Sequence, residues 1–148
     1  MQIPELEYKK ILEILPIVCV DVLIIYDKKC LLLYRTNEPA INQYWLPGGR
    51  IYKFESIKDA AFRKAKEETN LDCEFVKVIS VEESIFPKTE NMTTDIHTIN
   101  VCCHMTVSNI DNLKFDKYHS DFIWIDKLND KYHDCVNNPL SIIFDNFH

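Results

Sequence analysis

Two adjacent carboxylates, Glu67 and Glu68, close a run in which charged residues recur at fixed intervals. Gly49 is followed after five residues by Glu55, after seven more by Arg63, and then by the glutamate pair. Carboxylates that converge beside a loop carbonyl form an oxygen-rich environment, which suits a hard cation such as Mg²⁺. The bland alternative is a solvated helix face whose charges only meet water. What precedes the run argues against it. Pro47-Gly48-Gly49 holds both glycines of the chain, side by side. Glycine reaches backbone angles closed to other residues and lets a ligand approach the main chain, while proline stiffens the entry.

Other residues carry chemistry of their own. Asp21 interrupts an apolar run, between IVCV and VLII. A carboxylate in such a place must be paired or functional, because burying it bare is costly. His119 stands in the polar stretch KYHSD, where a histidine is either an exposed surface residue or a proton acceptor. Arg35 and Arg50 flank a polar loop, and each alone reads as a surface charge. Cys102-Cys103-His104 invites a metal reading. Neighbouring strand residues point to opposite faces, so these side chains diverge. The six cysteines form no CxxC pair and read as reduced, small core residues.

These groups need elements to hold them. Residues 4 to 15 place Leu6, Ile11, Leu12 and Leu15 at helical spacing before Pro16 stops the run. Ile17 to Tyr26 reads as a strand buried on both faces. A turn at Asp27-Lys28-Lys29 leads to an antiparallel strand from Cys30 to Tyr34, and residues 36 to 44 form a loop. A helix is expected over 57 to 69. Ser56 is its N-cap, with Asp59 completing a capping-box-like start. Residues 73 to 81, 97 to 107 and 122 to 125 read as strands. DKLND, residues 126 to 130, looks like a helix start, and PLSIIFDNF, residues 139 to 147, like a short packing helix. The pattern is α/β or α+β with a mixed sheet.

The chain has 148 residues, which predicts one domain over 1–148. A net charge of -6 argues against a surface that coats nucleic acid, while leaving room for a small basic pocket. No apolar run is long enough to span a bilayer, and MQIPELEYKK lacks a signal-peptide core. The expectation is a cytoplasmic protein without membrane or nucleic-acid partners.

The run from Gly49 to Leu71 resembles the Nudix box, GX5EX7REUXEEXGU with U aliphatic. Gly49, Glu55, Arg63, Glu67, Glu68 and Leu71 match, and Ala65 stands at an aliphatic position. Lys64 replaces a glutamate of the box, and Asn70 replaces its last glycine. Asparagine tolerates the left-handed conformation that ends a helix. Lysine for glutamate reverses a charge where metal ligands are needed. The resemblance implies a Nudix fold, a mixed β-sheet sandwiched between α-helices. It implies Mg²⁺, with Mn²⁺ as a substitute, held by the Gly48 carbonyl and Glu68, with Glu67 as a further candidate.

Residues 35 to 50, RTNEPAINQYWLPGGR, are similar to the GDP-mannose mannosyl hydrolase branch, as are PIVCVDVLI and KYHSDFIWI. That branch hydrolyses a sugar carbon–oxygen bond, releasing GDP and free sugar. The resemblance implies His119 as the base that activates water and Asp21 as the carboxylate near the sugar. Arg35, Arg50 and Arg63 match positions that contact the diphosphate or order the site. The sequence departs from the branch at Tyr118, where a glutamine ligand is expected, and at Ser84 and Thr98, where a histidine and a tyrosine are expected. A pyrophosphohydrolase that cleaves a nucleoside diphosphate derivative at phosphorus is the alternative enzyme. A non-catalytic nucleotide-binding module is the alternative of another class. The apolar N-terminal helix is expected to seal a homodimer, as in the resembled branch, or to cover the core.

Overall fold

The computed structural model describes residues 1–147, so His148, which closes the expected domain, lies outside the described residues. In chain order the elements are α1 (Glu5–Ile14), β1 (Ile17–Tyr26), β2 (Lys29–Arg35), β3 (Tyr44–Trp45), β4 (Gly48–Arg50), α2 (Ile57–Thr69), β5 (Glu74–Phe86), β6 (Ile96–Thr106), β7 (His119–Ile125) and α3 (Asp134–Asp145). The strands form one seven-stranded sheet whose main path runs β3-β2-β1-β6-β5. β1 and β6 are parallel and the other pairs antiparallel, so the sheet is mixed.

β1 is buried continuously from Val20 to Ile25, as its sequence predicts. Helices cover both faces. Val20, Val22 and Ile24 pack with Ala60, Ala61 and Ala65 of α2, while Leu23 and Ile25 pack with Val136, Leu140 and Ile143 of α3. Each large side chain removed from water in this way contributes roughly 1.5–3 kcal/mol. Cys103 lies in the first cluster and Cys102 in the second, so the adjacent thiols do diverge. All six cysteines are free.

One edge of β1 makes the site. The other edge pairs with β6 along its length, from Ile17 to Ile25. The near edge is divided: Ile25 and Tyr26 pair with β2, while Cys19, Val20 and Asp21 pair with β4. The hairpin turns tightly at Asp27 and Lys28, both with positive φ, and β2 then leaves β1 to pair with β3 and β7. The sheet forks at Asp21.

α2 occupies its expected span. Ser56 Oγ accepts from the Asp59 N–H at 3.0 Å, and Asn70 ends the helix in the left-handed region at φ 58°. Three local expectations are corrected. DKLND is a turn, with the Asn129 side chain accepting from the Lys131 N–H at 2.9 Å. α3 starts at Asp134, because the His133 ring accepts from the Cys135 N–H at 3.0 Å and caps it there; Pro139 falls inside the helix. α1 has its expected span but covers little, since none of its residues is buried and Leu6 and Ile14 are both 75% exposed.

Candidate active site

The fork opens into a cavity of about 640 Å³, lined by Asp21, Arg35, Gly48, Arg50, Glu68 and His119 among others. They reach it from five elements, Gly48 and Arg50 sharing β4. Asp21 comes from the middle of β1 and Glu68 from the last turn of α2. His119 is not in a loop, as its sequence context suggests. It opens β7 directly opposite Arg35 of β2, at a shift in strand register. Two residues far apart in sequence are thereby fixed side by side.

The glycines act by their missing side chains, not by their backbone angles; neither has positive φ. A Cβ on Gly48 would overlap the Val20 carbonyl and come within 2.5 Å of Asp21 Oδ1. A Cβ on Gly49 would come within 2.7 Å of Lys64 Cε. Gly48 lets β4 lie against Asp21, and Gly49 lets it lie against α2.

Glu68 is 6% exposed. Its Oε1 accepts from the Gly48 N–H at 2.9 Å, and its Oε2 lies 3.2 Å from Lys64 Nζ. Burial still raises its pKa above the ordinary carboxylate value. Asp21 is 5% exposed, and its Oδ2 is buried without a hydrogen-bond partner. Burial, then the nearby Glu68 charge, lifts the Asp21 carboxyl from its ordinary 3.8 to about 7. Both carboxyls resist ionisation chiefly because they are buried.

His119 is 5% exposed, and its Nδ1 lies 2.6 Å from Asp116 Oδ1. That oxygen also accepts from the Tyr118 N–H at 3.1 Å. An Nδ1–H held by a carboxylate leaves Nε2 with a free lone pair. Asp116 is the residue that the sequence reading misses. Its only sequence signal is its position three residues before a histidine. Glu68, Asp116 and His119 offer ligand atoms within 4.8 Å of one another. Two carboxylates and an imidazole that converge in this way have the right chemistry for a divalent cation, so the donor set fits one.

The remaining candidates separate. Arg35 lines the cavity, with Nε donating to the Pro39 carbonyl at 2.7 Å and Nη2 to Asn37 Oδ1 at 3.1 Å. Arg50 borders this cavity and a second one of about 510 Å³, with its guanidinium 5.0 Å from the Tyr52 ring centre. Arg63 borders only the second cavity. Its Nε and Nη2 grip Glu55 at 2.7 and 2.9 Å, and Nη2 also donates to the Arg50 carbonyl. Its role here is to tie the loop to the helix. Glu67 points away from the main cavity, toward Arg63 at 3.3 Å and Lys64 at 3.2 Å. Ser84 and Thr98 line the main cavity and hydrogen-bond to each other. The Cys19 thiol also borders it, but burial pushes its pKa up to about 12, so it stays protonated and is no nucleophile.

Comparison with known proteins places the chain in a family. The NUDIX domain family matches residues 15–127. The low-salt glycan biosynthesis protein Agl8 of Haloferax volcanii is 32% identical over 120 residues, covering 80% of this chain and 76% of that protein. An ADP-ribose pyrophosphatase of Methanocaldococcus jannaschii is 43% identical over 56 residues, covering 38% of this chain and 33% of that protein. The crystal structure of the MutT protein from Methanosarcina mazei Go1 superposes with a TM-score of 0.71 at 19% identity, covering 89% of this chain and 96% of that one; at this identity the likeness concerns the fold. No helix among the described residues is long and apolar enough to cross a membrane. With the match spanning most of the sequence and the residues around the glycines gathered on one cavity, the chain belongs to the Nudix hydrolase family.

Proposed function

We propose that this Nudix hydrolase cleaves a nucleotide-sugar, with GDP-mannose as the first substrate to test, by water attack at the anomeric carbon of the sugar. The observation that carries the reading is Asp21: a buried carboxyl with one unpartnered oxygen, in the same cavity as Arg35, Glu68 and His119. Attack at carbon creates positive charge on the sugar, and an anion fixed beneath it stabilises that charge where water is excluded. The similarity to a protein named for glycan biosynthesis supports a sugar-bearing substrate.

The chain's own groups divide the work. The Gly48 carbonyl and Glu68 would hold the divalent ion, Mg²⁺ or Mn²⁺. When bound, that ion neutralises the diphosphate and makes it a good leaving group. Arg35 and Arg50 orient the same diphosphate. His119 takes the proton from water on Nε2, while Asp116 fixes the ring and stabilises the imidazolium that results. Asp116 is thus a positioning residue.

Hydrolysis of GDP-mannose in ¹⁸O-water with Mg²⁺, followed by mass spectrometry of both products, tests this. Label is expected in the free sugar, released first as the β-anomer, because a single displacement inverts the carbon. Label in phosphate, with GMP and a sugar phosphate as products, would establish cleavage at phosphorus instead. The stretch shared with an ADP-ribose pyrophosphatase favours that second reading.

A further inference from the structure

We propose that the Lys64 ammonium is a built-in cation. It permanently fills the position between Glu67 and Glu68, so that the protein takes up a single exchangeable divalent ion on the cavity side of Glu68. The inference rests on the reading of Glu68 as a metal ligand and adds what this chain has done to the opposite side of that residue.

Three observations carry it. Lys64 Nζ lies 3.2 Å from Glu67 Oε2 and 3.2 Å from Glu68 Oε2, bridging two carboxylates as a bound ion would. The lysine side chain is only 16% exposed, far from the usual state of a surface lysine. Its stem also lies tightly against Gly49, where an added Cβ would come within 2.7 Å of Cε and 3.1 Å of Nζ.

The contacts also divide Glu68. Oε2 faces Lys64 and Oε1 accepts from the Gly48 N–H, while one carboxylate oxygen lies within 4.8 Å of the ligand atoms of Asp116 and His119. A divalent ion seated between Glu67 and Glu68 would have to displace Nζ and would face Arg63 as well, which already shares Glu67. An ion on the cavity side would instead meet the Asp116 carboxylate, whose ligand atom lies within 4.8 Å of that of Glu68. Like-charge repulsion from Lys64 disfavours a metal on one side of Glu68, while converging ligand atoms suit one on the other.

The test is a titration of metal-free protein with Mn²⁺, reading free ion by electron paramagnetic resonance. The wild-type chain and Lys64→Arg should saturate at about one tight ion per chain. Lys64→Glu and the neutral Lys64→Gln should each saturate at about two. Lys64→Gln carries the test if the acidic variant folds poorly, with circular dichroism as the check. Two tight ions in the wild type, or one in both variants, would overturn the inference while leaving Glu68 as a ligand. No uptake by the wild type would overturn the metal reading beneath it as well.

Discussion

Glu67 leaves 47% of its side chain in solvent and shares two cations, Arg63 and Lys64. Glu68, the next residue, leaves 8% and meets one of them. A rotation of about 100° around the helix separates the two. The outer flank belongs to a network that is nearly complete: Glu55 grips Arg63, Arg63 reaches Glu67, and Tyr52 lies 3.8 Å beneath the guanidinium. The Arg63 hydrogen bond holds the Glu55 carboxyl below its ordinary value. On the inner flank, burial raises both Glu68 and Asp21. Satisfied charge fastens the loop to the helix, while unsatisfied charge waits for a ligand. The two flanks are made from the same residue types, so composition cannot tell them apart.

The largest expected effect divides the flanks directly. Glu68→Gln should abolish hydrolysis at ordinary Mg²⁺ with the fold intact, whereas Glu67→Gln should cost only a few-fold. Steady-state rates across a Mg²⁺ series measure both. Equal losses in the two variants would erase the distinction between flanks.

Next comes the proton acceptor. His119→Ala should lower kcat by roughly 10²- to 10⁴-fold, the usual range for a general base, without changing Mn²⁺ affinity. A variant that loses the ion instead would move His119 from base to ligand.

The smallest effect is in stability. The folded Asp21 carboxyl titrates near 7 against an ordinary value of 3.8. Between those values the folded, metal-free chain binds more protons than the unfolded one, so stability falls as pH rises through the window. Asp21→Asn removes that loss. Its melting temperature should exceed that of the wild type by more at pH 8 than at pH 5. A difference independent of pH would mean that Asp21 is not held as a buried acid.

Much of the helix that carries the carboxylates was legible in the sequence, because its signals are local. Ser56 starts it and Asn70 stops it, each within a few residues of the backbone groups they satisfy. β1 was legible for a similar reason, since a nearly unbroken apolar run fits a strand covered on both sides. What escaped is set by pairing between distant strands. Nothing near His119 announces that it faces Arg35, and nothing near Asp116 marks it as a partner beyond its spacing. The glycines misled in an instructive way. Their pairing suggested unusual backbone angles, yet the structure uses them for clearance, against Asp21 on one side and Lys64 on the other. Pro139 has the sequence character of a first helical residue, yet α3 is capped further upstream by His133.

The divided edge of β1 also bears on how the molecule comes into being. Its upper half closes with β2 through a tight local hairpin, a step that needs little chain to be ordered. Its other edge is completed by β6, and Arg35 meets His119 only when β7 returns to β2; both require long loops to close first. Long-range closure is the slow part of folding for such topologies. The cavity that brings Asp21, Glu68 and His119 together exists only where β4 lies against β1 and β7 against β2, so the site is a product of long-range closure and not of any one segment.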